Sequence, residues 1–169
     1  MWHGDEPKFN PTLGTFSQGL SIIRDSINSD IVHTHTWYAA FAGYLAKMLY
    51  HVPLISTVHS LEPLRPWKEE QLGNSYRLSS WAEKLALENA NRIIAVSNHS
   101  KQDIIKYFEV KEENIEVIHN GIDLELYRPV DINYTRKAFN IGKDYILFVG
   151  RTSRQKGMIH LINAMKWVN

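Results

Sequence analysis

Histidines follow three short apolar runs of the sequence. His33 and His35 close one run, His59 follows a second and His119 a third. Histidine changes charge near neutral pH, so it can act as an acid, a base or a hydrogen-bonding group. On a strand, His33 and His35 would face the same side, where His59 could join them around zinc or iron. No Asp, Glu or His follows at a recognised metal-site spacing, so we expect hydrogen bonding, acid–base chemistry or plain packing instead of a metal.

A loop near the end of the chain has the composition of a phosphate-binding site. Residues 150–157 (GRTSRQKG) follow an apolar run and precede a helical pattern. A helix start presents free backbone N–H groups and the positive end of the helix dipole. Arg151 adds a bidentate donor and Lys156 a mobile point charge, which together suit a diphosphate. The loop matches neither the Walker motif nor G-x-G-x-x-G, and a solvated cationic turn explains it equally well.

The segment 61–68 (LEPLRPWK) is a third candidate. Its prolines stiffen it, and Trp67 stands beside the cations Arg65 and Lys68. Pyranose rings stack on tryptophan and accept hydrogen bonds from arginine and lysine, so a sugar or sugar-phosphate pocket is one interpretation. The other interpretation is a lid that Trp67 packs against the domain. Residue spacing alone does not distinguish the two interpretations.

Alternating strand and helix patterns place these candidates at one edge of a sheet. Apolar runs predict strands at 31–33, 54–58, 93–96, 115–118 and 145–149. Helices are predicted at 12–27, 37–50, 80–90 (opened by Ser80 and Glu83), 98–108 (capped by Ser97) and from 158 onward, with loops at 60–78 and after Pro129. This alternation predicts an α/β fold, a Rossmann-like parallel sheet with crossover helices. Ligands of such sheets bind beyond the carboxyl ends of the strands.

Length and composition limit the class of protein. The chain has 169 residues, 44% of them hydrophobic, a net charge of +1 and no cysteine. These values exclude disorder, disulfide frameworks, thiolate zinc sites and cysteine nucleophiles. The near-balance of charge argues against nucleic acid or an anionic membrane surface as a partner. With a polar start and no apolar run of ~18 residues, a cytoplasmic protein without a membrane span is expected.

Five stretches of the chain resemble the retaining glycosyltransferases of family 4, which have the two-domain GT-B fold. They are DIVHTHTWYAAFAGYLAKMLY, STVHSLEPLRPWKEEQLGNSYRLSSWAEK, RIIAVSNHSKQDI, VIHNGIDLELYRP and YILFVGRTSRQKG, and they cover about residues 30–169. The block SLEPLRPWK…YRLSSW is similar to the actinobacterial-type glycogen synthases, also described as α-maltose-1-phosphate synthases. The resemblance implies transfer of glucose, with retention, from ADP-glucose (or UDP-glucose) to an α-glucan or glucose 1-phosphate. No cofactor and no metal is expected.

The resemblance also implies roles for individual residues. His59 matches the family's strand-end histidine, which contacts the donor sugar near the reacting carbon. Arg151 and Lys156 match the cations that bind the donor diphosphate and stabilise the departing nucleotide, so these three are the expected catalytic residues. The expected donor-binding residues are Asn120, Gly121, Gly150, Arg151 and Lys156. The expected acceptor-binding residues are Arg65, Trp67, Lys68, Tyr76 and Arg77.

Some features of the family are not found. Thr36 stands where starch and bacterial glycogen synthases have Asp, the family's Gly-rich loop is missing before His33, and its E-x7-E motif is missing. We therefore expect residues 1–143 to form most of the N-terminal, acceptor-side domain, without its first strands. Residues 144–169 would be the first strand and helix of the nucleotide-sugar-binding domain. Such a fragment is expected to be inactive alone. The alternatives are a non-catalytic carbohydrate- or nucleotide-binding domain and a histidine-dependent metal hydrolase.

Overall fold

The structure, a computed structural model, describes residues 10–142 and 144–168. Contacts divide the chain into two compact units, and the division falls between Gly121 and Ile122. The boundary expected from the family resemblance, between residues 143 and 144, stays a prediction. Within the two described ranges, no helix combines the length and the apolar character that crossing a bilayer requires.

The first unit is built on a four-stranded parallel sheet. Its strands are β1 (Val32–His35), β2 (Leu54–Val58), β3 (Arg92–Ala95) and β4 (Ile115–Val117), in that order across the sheet. All three neighbouring pairs are parallel, and His35 lies opposite Thr57. Parallel neighbours require a crossover between each strand and the next, and helices supply it here. The predicted α/β fold with a parallel sheet and crossover helices is confirmed, and each of these strands lies within two residues of its prediction.

Five helices accompany this sheet. They are α1 (Asn10–Ile22), α2 (Thr36–Tyr50), α3 (Trp67–Leu72), α4 (Ser75–Glu88) and α5 (Asn98–Tyr107). The start of α5 confirms the predicted cap, because the Ser97 hydroxyl accepts a hydrogen bond from the Ser100 N–H at 3.0 Å. The predicted capping box is wrong, because α4 begins five residues before Ser80.

The predicted loop over residues 60–78 is wrong in part. A 3₁₀ turn at Glu62–Leu64 and the helix α3 occupy it, and α4 begins within it. Pro63 lies in the first positions of the 3₁₀ turn and Pro66 just before α3. Proline is tolerated at these positions because the N–H that it lacks has no partner there in any case. The prolines that were expected to stiffen a loop therefore lie at the starts of short helices.

The core of the first unit lies between the sheet and its helices. A cluster of buried apolar side chains joins β2, β3 and β4 to α4 and α5; it comprises Val58, Leu61, Leu87, Ile93, Ala95, Ile104, Phe108 and Ile115. At the β1 side, α2 lies so close to the sheet that a Cβ on Gly43 would collide with Thr34 and Leu54. The close-packed side chains around the sheet therefore hold the carboxyl ends of its strands in place.

The second unit, described by itself, contains α6 (Ile132–Ala138), a 3₁₀ turn at Arg154–Lys156 and α7 (Met158–Met165). The helix α6 corrects the predicted loop after Pro129; the Asp131 side chain caps it by accepting from the Asn133 N–H at 2.9 Å. The predicted strand at 145–149 is wrong, since the structure forms none there. A strand requires a neighbour that pairs with its backbone, and no strand occurs among the described residues of this unit.

Candidate functional site

Two strand ends bring histidines together at the carboxyl edge of the sheet. His35 is the last residue of β1, and His59 directly follows β2. The Nδ1 atom of His35 lies 3.0 Å from the Nε2 atom of His59, which is hydrogen-bond distance. Their rings are stacked, with centroids 5.3 Å apart and planes inclined by 19°. The parallel register thus joins two exposed imidazoles that lie 24 residues apart in sequence.

His33 lies one step further back on the same face of β1. Its Nε2 atom is 2.8 Å from the Thr57 hydroxyl, and its ring centroid is 4.6 Å from that of His35. Burial, and then the neighbouring His35, lower the pKa of His33 below its ordinary value of 6.5. The lowered pKa favours the neutral imidazole, which pairs with the Thr57 hydroxyl.

One ring nitrogen of each histidine in this cluster is engaged: His33 Nε2 with Thr57, and His35 Nδ1 with His59 Nε2. Across residues 10–142 and 144–168, no three His, Cys, Asp or Glu side chains are grouped to hold a metal ion. His33, His35 and His59 thus do not form the zinc or iron site that their spacing in the sequence allowed. What the arrangement offers is hydrogen-bond donors and acceptors at the edge of the sheet.

The turn from β1 into α2 is tight and strained. β1 ends at His35 and α2 begins at Thr36, with no residue between them. Thr36 has a φ angle of 62°, in the left-handed region that β-branched residues rarely adopt. Such conformations cost about 1–3 kcal/mol and are often found at functional sites.

A buried carboxylate, Glu62, organises the segment that follows β2. Its side chain is 1% exposed, and its Oε1 atom lies 2.6 Å from the Lys68 Nζ atom and 3.7 Å from an Arg65 guanidinium nitrogen. Its Oε2 atom accepts a hydrogen bond from the Ser79 hydroxyl at 2.9 Å. The Tyr76 hydroxyl donates to the Glu62 backbone carbonyl at 2.5 Å. Three of the expected acceptor-side residues therefore gather around Glu62: Arg65 and Lys68 at its carboxylate and Tyr76 at its backbone carbonyl.

A second buried carboxylate lies beside the first. The Glu83 side chain on α4 accepts a hydrogen bond from the Glu62 N–H at 2.7 Å, and Glu83 is only 3% exposed. Burial, reinforced by the negative charge of Glu62, raises the pKa of Glu83 from 4.5 to about 8, although the hydrogen bond from Glu62 opposes this change. Glu83 thus holds a proton over much of the neutral range, so the two carboxyls carry about one negative charge between them.

Sequence reasoning did not assign a site role to Glu62 or Glu83. The sequence did contain one signal for Glu83. This residue lies on the buried face of α4, together with Ser79, Ala82, Ala86 and Leu87. A carboxyl at such a position on an apolar helical face requires a buried partner. Glu62 had no comparable pattern, since its burial depends on α3 and α4 folding over it.

The other two expected acceptor-side residues are exposed. Trp67 begins α3 and is 37% exposed, and Arg77 lies on the outer face of α4. Lys68 lies 5.9 Å from the ring centroids of Trp37 and Tyr38, which places its ammonium group beside α2 as well as Glu62. Of the five expected acceptor-binding residues, three are therefore held by Glu62. The other two, Trp67 and Arg77, lie exposed at the surface.

The expected donor-side residues are distributed over both units. Asn120 and Gly121, both exposed, follow β4 at the end of the first unit. Just before them, the His119 Nδ1 atom lies 3.1 Å from the Val96 carbonyl oxygen. In the second unit, Gly150 and Arg151 precede the 3₁₀ turn that contains Lys156, and the side chains of both cations are exposed. That turn leads through Gly157, with a φ angle of 66°, into α7.

Comparison with known proteins identifies relatives for most of the chain. Residues 2–126 match the profile of Glycosyltransferase Family 4. The chain is 43% identical over 161 residues to alpha-maltose-1-phosphate synthase of Mycobacterium tuberculosis strain H37Rv, which spans 92% of this chain and 42% of that relative. It is 32% identical over 126 residues to D-inositol 3-phosphate glycosyltransferase of Mycolicibacterium paratuberculosis, covering 72% of this chain and 28% of the relative. The chain thus spans less than half the length of these relatives.

Solved structures show the same fold. Sucrose-phosphate synthase from Thermosynechococcus elongatus superposes with a TM-score of 0.74 over 99% of this chain and 42% of its own, at 24% identity. Anabaena HepE in complex with UDP-glucose superposes with a TM-score of 0.67 over 90% of this chain and 41% of its own, at 25% identity. The first likeness concerns fold alone. The profile match over residues 2–126, which is more than half of the chain, establishes that the chain belongs to glycosyltransferase family 4.

Proposed function

We propose that this chain is part of a retaining glucosyltransferase of the glycogen or α-glucan synthase type. That enzyme would transfer glucose from ADP-glucose or UDP-glucose to an α-glucan or to glucose 1-phosphate. The observation that carries the proposal is the position of His59 at the carboxyl edge of the sheet, in a chain 43% identical to an alpha-maltose-1-phosphate synthase. The bound UDP-glucose of Anabaena HepE supports a nucleotide sugar as the donor.

The donor side of the proposed reaction depends on cations. As the bond between the glucose C1 atom and the diphosphate oxygen breaks, negative charge develops on the leaving phosphate. Arg151 precedes the 3₁₀ turn before α7 and Lys156 is the last residue of that turn; both are exposed, so their positive charges are accessible to an anion. Fixed cations at that position stabilise the developing charge more in the transition state than in the ground state. His59 would contact the sugar whose C1 atom forms the new bond to the acceptor hydroxyl.

The acceptor side of the proposed reaction depends on Arg65 and Lys68. Glu62 holds both, and Lys68 keeps two of its three ammonium hydrogens for other partners. With Glu83 protonated, the group formed by Glu62, Glu83, Arg65 and Lys68 has a net formal charge of about +1. A preordered positive group of this kind suits the phosphate of glucose 1-phosphate, because the side chains lose little freedom on binding.

A thermal-shift titration tests this proposal. The purified chain is melted with ADP-glucose, UDP-glucose or glucose 1-phosphate, beside two variants, Arg151→Ala and the control Arg24→Ala. Arg24 is exposed and pairs with the adjacent Asp25. We expect one nucleotide sugar to raise the melting temperature, because a ligand at about 100 times its Kd adds about 2.7 kcal/mol of stability. The rise should disappear in Arg151→Ala and persist in Arg24→Ala.

A glucose-transfer assay on the same samples separates the remaining outcomes. Incorporation of labelled glucose into glycogen or glucose 1-phosphate would support the full proposal. Nucleotide-sugar binding without transfer would support the donor side of the proposal, because the chain is expected to be inactive alone, and would agree equally with the alternative of a non-catalytic nucleotide-binding domain. If neither nucleotide sugar changes the melting temperature and no transfer occurs, the proposal is contradicted.

A further inference from the structure

We propose that His35 is a positioning residue for His59. By bonding to the Nε2 atom of His59, it holds that imidazole in one orientation and one tautomer, so that His59 presents its Nδ1 atom to the donor sugar. The inference rests on the proposed function, in which His59 is the group that contacts that sugar. The expectation drawn from the family concerned His59 and gave no role to His35.

The distance between the two rings is the first support. His35 Nδ1 and His59 Nε2 are 3.0 Å apart, although both side chains are exposed and water could replace either partner. The register places His35 opposite Thr57, and His59 lies two residues beyond Thr57. Because side chains alternate along a strand, the two histidines emerge on the same face. The contact is therefore fixed by strand pairing as well as by side-chain conformation.

The second support is the rigidity of the elements that hold His35. Its ring lies against His33, which Thr57 fixes through a contact of 2.8 Å. On the other side, the chain turns at once into α2 through the strained Thr36, and the next residue, Trp37, is buried. His35 therefore has little freedom to leave its partner.

The chemistry of two neutral imidazoles gives the consequence. An N–H···N bond needs one nitrogen with a proton and one without. If His35 Nδ1–H donates, His59 accepts at Nε2 and keeps its own proton on Nδ1. If His59 Nε2–H donates, the Nδ1 atom of His59 is a bare acceptor. In both cases Nε2 is engaged, and Nδ1 is the ring nitrogen that remains for a ligand.

Nitrogen NMR tests this inference on the whole chain. Long-range ¹⁵N–¹H correlation spectra, recorded where the imidazoles are neutral, report which nitrogen of His59 carries the proton. The wild type is compared with His35→Phe, His35→Asn and the control His99→Asn, which lies on α5. We expect a single tautomer of His59 in the wild type and in His99→Asn, and a mixture of both in His35→Phe. His35→Asn should keep the Nε2 atom of His59 engaged, because its side-chain amide can donate to or accept from that nitrogen, so the signals should lie closer to wild type than those of His35→Phe.

Addition of ADP-glucose or UDP-glucose separates this inference from the proposed function. If His35→Phe mixes the tautomers but neither nucleotide sugar changes the His59 signals, His35 positions His59 and the proposed function fails. If a nucleotide sugar shifts the His59 signals while the tautomer is the same in wild type and His35→Phe, the positioning role is overturned and the proposed function stands. A loss of the folded spectrum in His35→Phe would move the decision to His35→Ala, for which the same mixture is expected.

Discussion

At the scale of single residues, Thr36 shows strain at the edge where the candidate site forms. Its φ angle of 62° brings the Cβ atom close to its own backbone, which costs about 1–2 kcal/mol for an L-residue. Glycine avoids this cost but loses more entropy on folding, by about 0.5–1 kcal/mol. We therefore expect Thr36→Gly to raise the free energy of unfolding by about 0.5–1 kcal/mol, measured by urea denaturation.

Thr36→Val is the matched control, since it keeps the branched Cβ and should bring no such gain. If Thr36→Gly is instead less stable than the wild type, the Thr36 side chain contributes more than its backbone conformation costs. Combined with the His59 tautomer measurement, the variant would also show whether the strain helps to hold His35 in place.

Residue types predicted part of the candidate site, and tertiary contacts determined the rest. His59, Arg65, Lys68 and Tyr76 were selected by chemistry and by family resemblance, and the last three do come together. Their common partner, Glu62, could not be found in this way. Its burial arises only when α3 and α4 fold over the segment after β2, which is a contact between elements and not a local pattern.

At the scale of elements, Glu83 links α4 to the segment after β2. Its pKa is raised from 4.5 to about 8, so between these pH values the folded chain binds a proton that the unfolded chain has released. Stability therefore falls as the pH rises through this interval, by at most about 1.4 kcal/mol per pH unit, and levels off above it. Glu83→Gln keeps the shape of the protonated carboxyl and removes its titration.

Melting temperatures measured from about pH 6 to about pH 9 test this dependence. We expect a decline in the wild type and a flatter profile in Glu83→Gln. Glu88→Gln, which removes another carboxyl from the same helix, should keep the wild-type decline. Equal slopes in wild type and Glu83→Gln would show that another group causes the pH dependence.

Element prediction succeeded where local pattern and tertiary environment agree. The strands β2 and β3 are apolar runs that neighbours on both sides pair, so their pattern and their environment coincide. The run at 145–149 has the same pattern but no neighbouring strand among the described residues of its unit, and it does not form a strand. Apolar periodicity therefore predicts a tendency that only pairing converts into structure.

At the scale of the whole molecule, the two units differ in how much they bury. The first contains the apolar core around Ile93 and Ile104, which are fully buried. In the second unit, none of the described residues is buried. Proteases cut where the chain opens locally, and segments without buried contacts open at the lowest free energy. We therefore expect trypsin to cut first after Arg136 or Lys137, and later at Arg92 or Lys101.

Mass spectrometry of a limited digest checks this order, and a core variant supplies its control. Ile93→Ala removes a fully buried side chain at a cost of about 2–5 kcal/mol, so it should bring cleavage at Arg92 and Lys101 forward. Simultaneous cleavage in both units of the wild type would contradict the difference. A nucleotide sugar that binds the second unit should also slow cleavage after Arg151 and Lys156 more than after Lys137, because a bound diphosphate shields those two cations. Unchanged rates at all three sites would count against a donor site at this loop.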